Sequence, residues 1–186
     1  MAGARIGRRI IVTGLPGSGK STLSRAVAAK TGLPLIYLDL HYWRPGWVAP
    51  SEEEWRAVQR SVLAGEAWVA DGNYSETLDL RLDRADTVVR LDLPWWVCAR
   101  RAFLRGFRMP AELPPGCTYT RRERLADEWR LAVRIWRKDR SQSERERAII
   151  AEHPLHVVVH DLRSRRAVRA FLRGLGPPSA GESDIA

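Results

Sequence analysis

Short apolar segments alternate with longer polar ones along the chain. The apolar segments are rich in β-branched residues and have the length of buried strands; they cover 9–13, 35–38, 67–70, 86–91 and 155–159. The polar segments predict helices over 21–30, 52–63, 95–107, 121–150 and 164–172, with a break near Ser141-Gln142-Ser143 in the longest. Strands that alternate with helices predict an α/β fold with a doubly wound, five-stranded parallel sheet.

The length of 186 residues favours one domain. We expect it to span 1–176, followed by a disordered Pro/Gly/Ser-containing tail over 177–186. The sequence has two cysteines, no signal-peptide pattern and no apolar run near the ~20 residues that cross a bilayer. We therefore expect a cytoplasmic protein without a membrane partner.

The formal charge is +9, and nearly all of the positive charge is arginine. Arginine excess can indicate nucleic-acid binding, or sites for phosphate groups, which arginine binds in a bidentate manner. It can also reflect an Arg-biased solvated surface. Composition leaves all three interpretations open.

The segment 14–21 carries the first chemical signal. It fits G-x-x-x-x-G-K-[ST], the phosphate-binding loop (P-loop), and lies between a predicted strand and a predicted helix. Glycines let backbone N–H groups converge on an anion, and the helix N-terminus adds a positive dipole. We expect ATP here, held by Gly14, Pro16, Gly17, Ser18, Gly19, Lys20, Ser21 and Thr22.

Two acids follow the second and third predicted strands, Asp39 and Asp71. Ligands in parallel sheets bind at the carboxyl ends of the strands, so both acids should lie beside the P-loop. Asp71 could hold Mg²⁺ together with Ser21, or it could cap the following turn. Asp39 could orient a hydroxyl group and take its proton, or it could stabilise a turn.

Several of these residues resemble the nucleoside monophosphate kinase superfamily, which includes adenylate kinase. They are 14–21, Asp71-Gly72 and the arginines after Leu93-Pro94. A closer similarity covers most of the chain: the segments 37–47 and 71–75 look like the bacterial FlaR-type "DNA topology modulation" proteins. This resemblance implies a P-loop kinase fold with a helical lid, here at about 106–129.

The resemblance also implies roles for individual residues. Asp39 is similar to the acid that shikimate and gluconate kinases place after the second strand, where it binds the acceptor hydroxyl. The adenylate kinase pattern after Pro94 implies that Arg101 and Arg105 contact the phosphates, with Lys20 as the third catalytic cation. Arg163 stands where such kinases pack the adenine base.

The acceptor pocket differs from that of adenylate kinases. Asn73-Tyr74-Ser75 replaces the Phe-Pro-Arg that follows Asp-Gly there, so the arginine that grips a nucleotide phosphate is missing. The residues we expect to bind the acceptor are Asp39, His41, Trp43, Gly72, Asn73 and Tyr74. The aromatic residues among them could equally fill a core.

The sequence thus favours an ATP- and Mg²⁺-dependent phosphotransferase that acts on a small acceptor carrying a hydroxyl or phosphate group. The alternative is a nucleic-acid-associated or regulatory P-loop NTPase. It is supported by the +9 charge and by the Arg/Trp-rich segment 121–147, since both residue types bind nucleic acid.

Overall fold

The computed structural model of the chain describes residues 6–108, 113–152 and 157–176, and only the backbone of 138–143. Five parallel strands form one sheet in the order β2-β3-β1-β4-β5. The strands are β1 (Arg9–Gly14), β2 (Leu35–Tyr37), β3 (Trp68–Asp71), β4 (Thr87–Leu91) and β5 (Val158–Leu162). The predicted α/β class and five-stranded parallel sheet are confirmed.

Seven helices are found in the described part of the chain. They are α1 (Lys20–Thr31), α2 (Leu38–Tyr42), α3 (Glu52–Val62), α4 (Leu78–Leu82), α5 (Trp95–Arg105), α6 (Arg121–Glu152) and α7 (Arg165–Gly174). A single 3₁₀ turn, Ser75–Thr77, precedes α4. None of these helices is long and apolar enough to cross a membrane.

Alternate residues of β1 face opposite sides of the sheet, which is what double winding requires. Ile10 and Val12 pack with apolar residues of α1 and α7, including Val27 and Phe171. Ile11 packs on the other side with residues at the end of α3 and in α4. Both faces of the sheet are therefore covered by helices, and the carboxyl edge is left to carry the site.

The predicted break in the longest helix is wrong. α6 runs without interruption from Arg121 to Glu152 through Ser141, Gln142 and Ser143. Serine and glutamine cost only a few tenths of a kcal/mol in a helix, and this stretch has no glycine or proline to end it. The predicted lid range of 106–129 thus includes the first turns of this helix.

All five observed strands begin or end at least one residue away from their predicted bounds, and the differences at β2 and β5 have structural causes. β2 ends at Tyr37, and Leu38 begins the short helix α2, which contains Asp39. β5 lies at Val158–Leu162 rather than 155–159; residues 155 and 156 are outside the described residues. The run of apolar residues did not predict the polar end of β5. On this edge strand, Asp161 accepts two hydrogen bonds from the Arg90 guanidinium of β4, both at 2.7 Å. The predicted tail, 177–186, is also outside the described residues.

Candidate active site

The P-loop connects β1 to α1 at the carboxyl edge of the sheet. Gly14, Gly17 and Gly19 have φ values of 137°, 80° and 102°, which L-residues with a side chain rarely adopt. A Cβ at Gly17 would lie 2.2 Å from the carbonyl oxygen of Cys98 in α5. Within the described residues, the buried Ser18 hydroxyl has no hydrogen-bond partner. The loop is thus shaped by its glycines and presents the N-terminus of α1 to an anion.

The Lys20 side chain folds back over this loop. Its Nζ donates to the carbonyl oxygens of Gly14 at 2.8 Å and of Leu15 at 3.1 Å. Burial lowers the pKa of this ammonium group, while the charges of Asp71, Asp39 and Glu146 raise it. Lys20 is therefore within electrostatic range of three carboxylates, two of which the sequence had placed at this edge.

Asp71 ends β3 beside the P-loop and is only 5% exposed. Burial raises the pKa of its carboxyl group, and the nearby Ser21 and Ser24 side chains and the charge of Lys20 oppose that shift. Asp71 Oδ1 has no hydrogen-bond partner in the described part of the chain. A buried oxygen left unpaired beside the Ser21 hydroxyl fits Mg²⁺ or a water bound to it.

No group of three or more His, Cys, Asp or Glu side chains with metal-ligand geometry occurs among the described residues. Mg²⁺ does not need such a group. It is commonly held by one or two protein oxygens, with substrate phosphates and water supplying the rest. Ser21 and Asp71 fit that pattern.

Asp39 lies in the first turn of α2 and is exposed. The Tyr74 hydroxyl donates to its Oδ1 at 2.7 Å. Burial raises the pKa of Tyr74, and the nearby Asp39 charge adds to that effect, so the phenol keeps its proton as a donor. This bond fixes the orientation of the carboxylate.

Aromatic rings form a continuous wall beside Asp39. Tyr42 contacts Tyr74, Trp43 and Trp55 with ring centroids 4.6, 4.9 and 5.0 Å apart. Trp43 contacts Trp47 at 5.6 Å. Trp55 is buried, whereas Tyr42, Trp43 and Tyr74 are half-buried. The aromatic wall, meaning these five rings, therefore serves partly as core and partly as surface.

The loop 43–48 is tied to the segment 113–120 that leads into α6. Gly46 N–H donates to the Gly116 carbonyl at 3.2 Å, and Trp47 Nε1 donates to the Thr118 carbonyl at 2.9 Å. Trp47 also stacks on Tyr119 at 4.3 Å. Trp47 has a φ of 63°, an uncommon backbone conformation for a bulky residue. These contacts join the two loops at the rim of the site.

The segment after β3 is held against the P-loop. Gly72 packs so closely on Leu38 that a Cβ there would lie 2.8 Å from the Leu38 Cβ. Asn73 Oδ1 accepts from the Gly14 N–H at 3.4 Å and lies 3.0 Å from the Thr13 hydroxyl oxygen. Asn73 thus contacts the strand end and the first residue of the P-loop. His41, on α2, is exposed.

Glu146 of α6 is a site residue that sequence reasoning missed. It is 2% exposed, its Oε2 lies 2.9 Å from the Thr13 hydroxyl, and Ser75 donates to its Oε1 at 3.4 Å. Burial raises the pKa of its carboxyl group, against the charges of Lys20 and Arg81. Glu146 lies 133 residues from Thr13, among many exposed charges of one helix, so no local pattern distinguishes it.

Arg81 was missed for the same reason. Its guanidinium is buried and donates to the carbonyl oxygens of Gly72 at 3.1 Å and Tyr74 at 2.6 Å. Burial lowers its pKa to about 10, while the charge of Glu146 raises it. Arg81 holds the backbone of the segment that presents Asn73 and Tyr74.

The two arginines predicted on α5 have different surroundings. Arg101 Nη1 donates to the Ser18 carbonyl of the P-loop at 3.0 Å. Arg105 instead forms a bidentate pair with the buried Glu128 of α6, both bonds at 2.9 Å, and Arg124 binds the same carboxylate at 2.8 Å. Arg101 therefore lies at the P-loop, whereas Arg105 is held by Glu128.

A cavity of about 570 Å³ adjoins the P-loop between α1, α5 and α7. It is lined by Ser18, Gly19, Thr22, Leu23, Ala26, Leu91, Leu93, Arg101, Arg165, Val168, Arg169 and Leu172. A nucleobase beyond a triphosphate in the P-loop would fit here. Arg163, expected beside the base, is not among the lining residues and pairs with Asp92 at 3.5 Å and Asp161 at 3.7 Å.

This sheet, with its phosphate-binding loop between β1 and α1, is the fold of P-loop kinases. The family model "ATPase family associated with various cellular activities (AAA)" matches residues 10–66, which contain the P-loop. No curated protein matches the chain.

Solved shikimate kinases are similar in structure. The enzyme from Acinetobacter baumannii in complex with shikimate is 18% identical with a TM-score of 0.54. The alignment covers 90% of this chain and 89% of that one. The Aquifex aeolicus enzyme is 15% identical with a TM-score of 0.51, covering 89% and 91% of the two chains. The Bacteroides thetaiotaomicron enzyme is 19% identical with a TM-score of 0.50, covering 89% and 94%. At these identities the similarity concerns the fold.

Proposed function

We propose that the chain is an ATP- and Mg²⁺-dependent phosphotransferase that moves the γ-phosphoryl group of ATP to a small acceptor. The observation that carries this proposal is the position of Asp71 in the sheet. It lies opposite Val12, two residues before the P-loop begins, and opposite Tyr37, two residues before Asp39. The P-loop, the buried Asp71 and the exposed Asp39 therefore lie at the same edge of the sheet, where they could act as phosphate cradle, metal ligand and acceptor-binding acid. Kinases need these three parts because their catalysis is mostly positional and electrostatic.

Each part has a defined task in the proposed mechanism. Lys20 and the P-loop amides hold the β- and γ-phosphates, and the 570 Å³ cavity takes the base. Ser21 and Asp71 would hold Mg²⁺, which neutralises phosphate charge when bound. Asp39, oriented by Tyr74, accepts a hydrogen bond from the acceptor hydroxyl.

Transfer forms a bond between the acceptor oxygen and the γ-phosphorus as the bond to the β–γ bridging oxygen breaks. ADP leaves with that electron pair, and the hydroxyl proton passes to the Asp39 carboxylate. Arg101, held at the Ser18 carbonyl, stabilises the charge on the transferring group. Arg105 can join only after it leaves Glu128.

We also propose two finer resemblances. The motifs at 14–21 and 71–72 support a similarity to adenylate kinase, and the segments 37–47 and 71–75 support a similarity to FlaR-type proteins. The shikimate kinases are named for a small hydroxylated acceptor, which favours a small acceptor here as well. The cytoplasmic location and the 1–176 domain with a lid are likewise proposed.

The proposal is tested by substituting the acceptor acid. Small hydroxylated metabolites and nucleosides are screened for stimulated ADP release in the presence of Mg²⁺. We expect Asp39→Asn to lower kcat by about 100-fold or more while the affinity for ATP stays within a few-fold. Asp83→Asn, an exposed aspartate between α4 and β4, is the matched control and should keep full activity. An Asp39→Asn enzyme as active as the wild type would refute the assignment.

A second candidate, binding of single-stranded nucleic acid, is favoured by a groove between α5 and α6. Trp95, Trp96, Trp129 and Trp136 line a cavity of about 440 Å³ together with Arg100 and Arg137. Trp96, Trp129 and Trp136 are 60%, 57% and 71% exposed. Exposed indoles beside arginines can stack on bases and bind phosphates. Submicromolar binding that falls steeply with log salt, and that Trp136→Ala weakens, would favour this function.

A further inference from the structure

The exposed Asp39 carboxylate marks where the acceptor of the proposed phosphotransfer must reach. We call its surroundings the acceptor face: α2, the loop 43–48, the first half of α3 and the segment 72–77. The charges and rings of this face restrict which small molecules can bind there as the phosphoryl acceptor. The following inference rests on the proposed function.

Negative charge dominates the interior side of the acceptor face. Asp71 and Glu146 are buried behind it, and Asp39 stands at its surface. All three carboxylates interact with the single ammonium group of Lys20, which the phosphates of ATP require. An anionic group on the acceptor would therefore approach two or three carboxylates. The basic side chains on the described acceptor face are His41, Arg44 and Arg56, and it holds no lysine.

Arginines of the described acceptor face, and Arg81 behind it, already have partners. Arg44 pairs with Glu54 at 2.8 Å. Arg56 pairs with Asp79 at 3.0 Å and with Glu52 at 3.1 Å. Arg81 is 1% exposed and holds backbone carbonyls, so a ligand cannot reach it. Recognition of phosphate or carboxylate uses a free guanidinium fork or converging N–H groups. An anionic acceptor would have to displace Glu54 from Arg44, or Asp79 and Glu52 from Arg56, to obtain one.

The aromatic wall supplies the remaining surface. Tyr42, Trp43 and Tyr74 are half-buried, and the Tyr74 hydroxyl is already bound to Asp39. Ring faces pack well against the C–H groups of a sugar or cyclitol, or against another ring. A pocket that combines an apolar wall with one well-oriented hydrogen-bond acceptor selects a molecule with an apolar face and a hydroxyl at its edge.

We propose that the acceptor is an uncharged, hydroxylated molecule whose ring or carbon face packs on the aromatic wall. Neutral sugars, cyclitols and nucleosides belong to this class. Sugar phosphates, nucleotides and hydroxy acids do not. The chain would in this respect differ from the shikimate kinase of the same fold that was solved in complex with shikimate, a hydroxylated carboxylate.

Matched pairs of compounds test this inference. Each neutral molecule is compared with an anionic counterpart: a nucleoside with its 5′-monophosphate, a methyl glycoside with its uronic acid, and methyl shikimate with shikimate. Binding is measured by tryptophan fluorescence with Mg²⁺ and a non-hydrolysable ATP analogue, and turnover is measured as ADP release. We expect at least one neutral member to bind tenfold or more tightly than its anionic counterpart.

Trp43→Ala should weaken that binding by tenfold or more. Leu104→Ala, which removes an exposed apolar side chain on α5, should leave it unchanged. The inference is overturned if the anionic members of the pairs bind as well as or better than their neutral counterparts. It is also overturned if no neutral member binds although the ATP analogue does. Neutral binding without ADP release would keep the acceptor class and reject the phosphotransfer. Phosphorylation of anionic members alone would keep the phosphotransfer and reject the proposed acceptor class.

Discussion

The three carboxylates of the candidate site have different properties because their surroundings differ. Asp39 is exposed and oriented by Tyr74, whereas Asp71 and Glu146 are buried. Burial raises the pKa of both buried acids. A carboxyl group with a higher pKa in the folded chain binds more protons when folded. Its ionisation therefore costs stability as pH rises from the unfolded value toward the raised one.

Glu146→Gln tests this cost. The folded chain has a Glu146 pKa above the ordinary 4.5, so the wild type should lose stability relative to the variant as pH rises above 4.5. The loss is complete once pH exceeds the raised pKa. Urea unfolding measured between pH 4 and pH 8 gives the difference. Glu144→Gln, an exposed glutamate of the same helix, should show no such trend.

The same substitution should also tighten binding of ATP. The Glu146 charge offsets part of the positive potential that Lys20 creates at the P-loop, so its removal strengthens the attraction of the phosphates. We expect the Kd for MgATP to fall by roughly 3- to 10-fold, which corresponds to about 0.7–1.4 kcal/mol. Isothermal titration measures it. An unchanged or raised Kd would mean that Glu146 helps to hold the P-loop in its binding conformation.

Tyr74→Phe isolates the bond that orients Asp39. The phenylalanine keeps the ring contacts with Tyr42 and Trp55 but loses the 2.7 Å hydrogen bond. Loss of a hydrogen bond to a charged group costs about 1.5–3 kcal/mol, so we expect kcat to fall by about tenfold or more. The KM for ATP should not change. Tyr42→Phe, which leaves the Asp39 bond in place, is the matched control, and equal effects of the two variants would contradict the assignment.

At this scale, sequence reasoning can predict site residues only where they are close together in the chain. Gly14, Lys20 and Ser21 follow from one contiguous motif, and Asp71 from its place after an apolar strand. Glu146 and Arg81 could not be predicted, because their roles depend on where a distant helix crosses the sheet edge. The same holds for the Arg105–Glu128 pair, since helix spacing places arginines on a face but does not reveal what lies opposite.

α6 connects distant parts of the molecule at the scale of single elements. Glu128 near its beginning holds Arg105 of α5, and Glu146 near its end contacts Thr13 and Ser75. A helix rises about 1.5 Å per residue, so these two glutamates lie about 27 Å apart along one rod. The predicted break near Ser141 would have separated them. Local propensity cannot decide such a case, because tertiary packing supports weak helix positions.

Ser141→Pro tests the continuity of α6. Proline in a helix interior removes a backbone donor and clashes with the preceding turn, at a cost of about 3 kcal/mol. We expect the free energy of unfolding to fall by that amount. Ser141→Ala should raise it by a few tenths, because alanine is the better helix former. A proline variant as stable as the wild type would show that the chain is already broken there in solution.

The sheet order explains at the scale of the whole molecule why the base cavity lies between α1, α5 and α7. β1 lies beside β4, so α5, which follows β4, packs next to the P-loop, and α7 after β5 completes the opening. The parallel sheet follows from the alternation of strands and helices in the sequence, whereas the order of its strands was not predicted. Which side chains line the cavity does not, and Arg165 and Arg169 occupy the place expected for Arg163.

Val168→Trp tests the use of this cavity. A tryptophan at 168 would fill much of the space beside Thr22 and Leu172 and exclude a base, while the P-loop stays open. We expect the affinity for ATP to fall by about tenfold or more and the affinity for inorganic tripolyphosphate to be unchanged. Competition against a fluorescent nucleotide measures both. Ala170→Trp, on the exposed face of α7, should bind both ligands normally.

The join between the loop 43–48 and the segment 113–120 has an evolutionary consequence. Gly116 packs against Pro45, so that a Cβ there would lie 2.8 Å from the Pro45 Cβ. One backbone hydrogen bond, from Gly46 N–H to the Gly116 carbonyl, and one from the Trp47 side chain to the Thr118 carbonyl link the two stretches. A change of length in one would leave carbonyl and amide groups of the other unpaired. The lengths of these two loops should therefore vary together among homologues, and a shift to a different acceptor would require inherited changes in both.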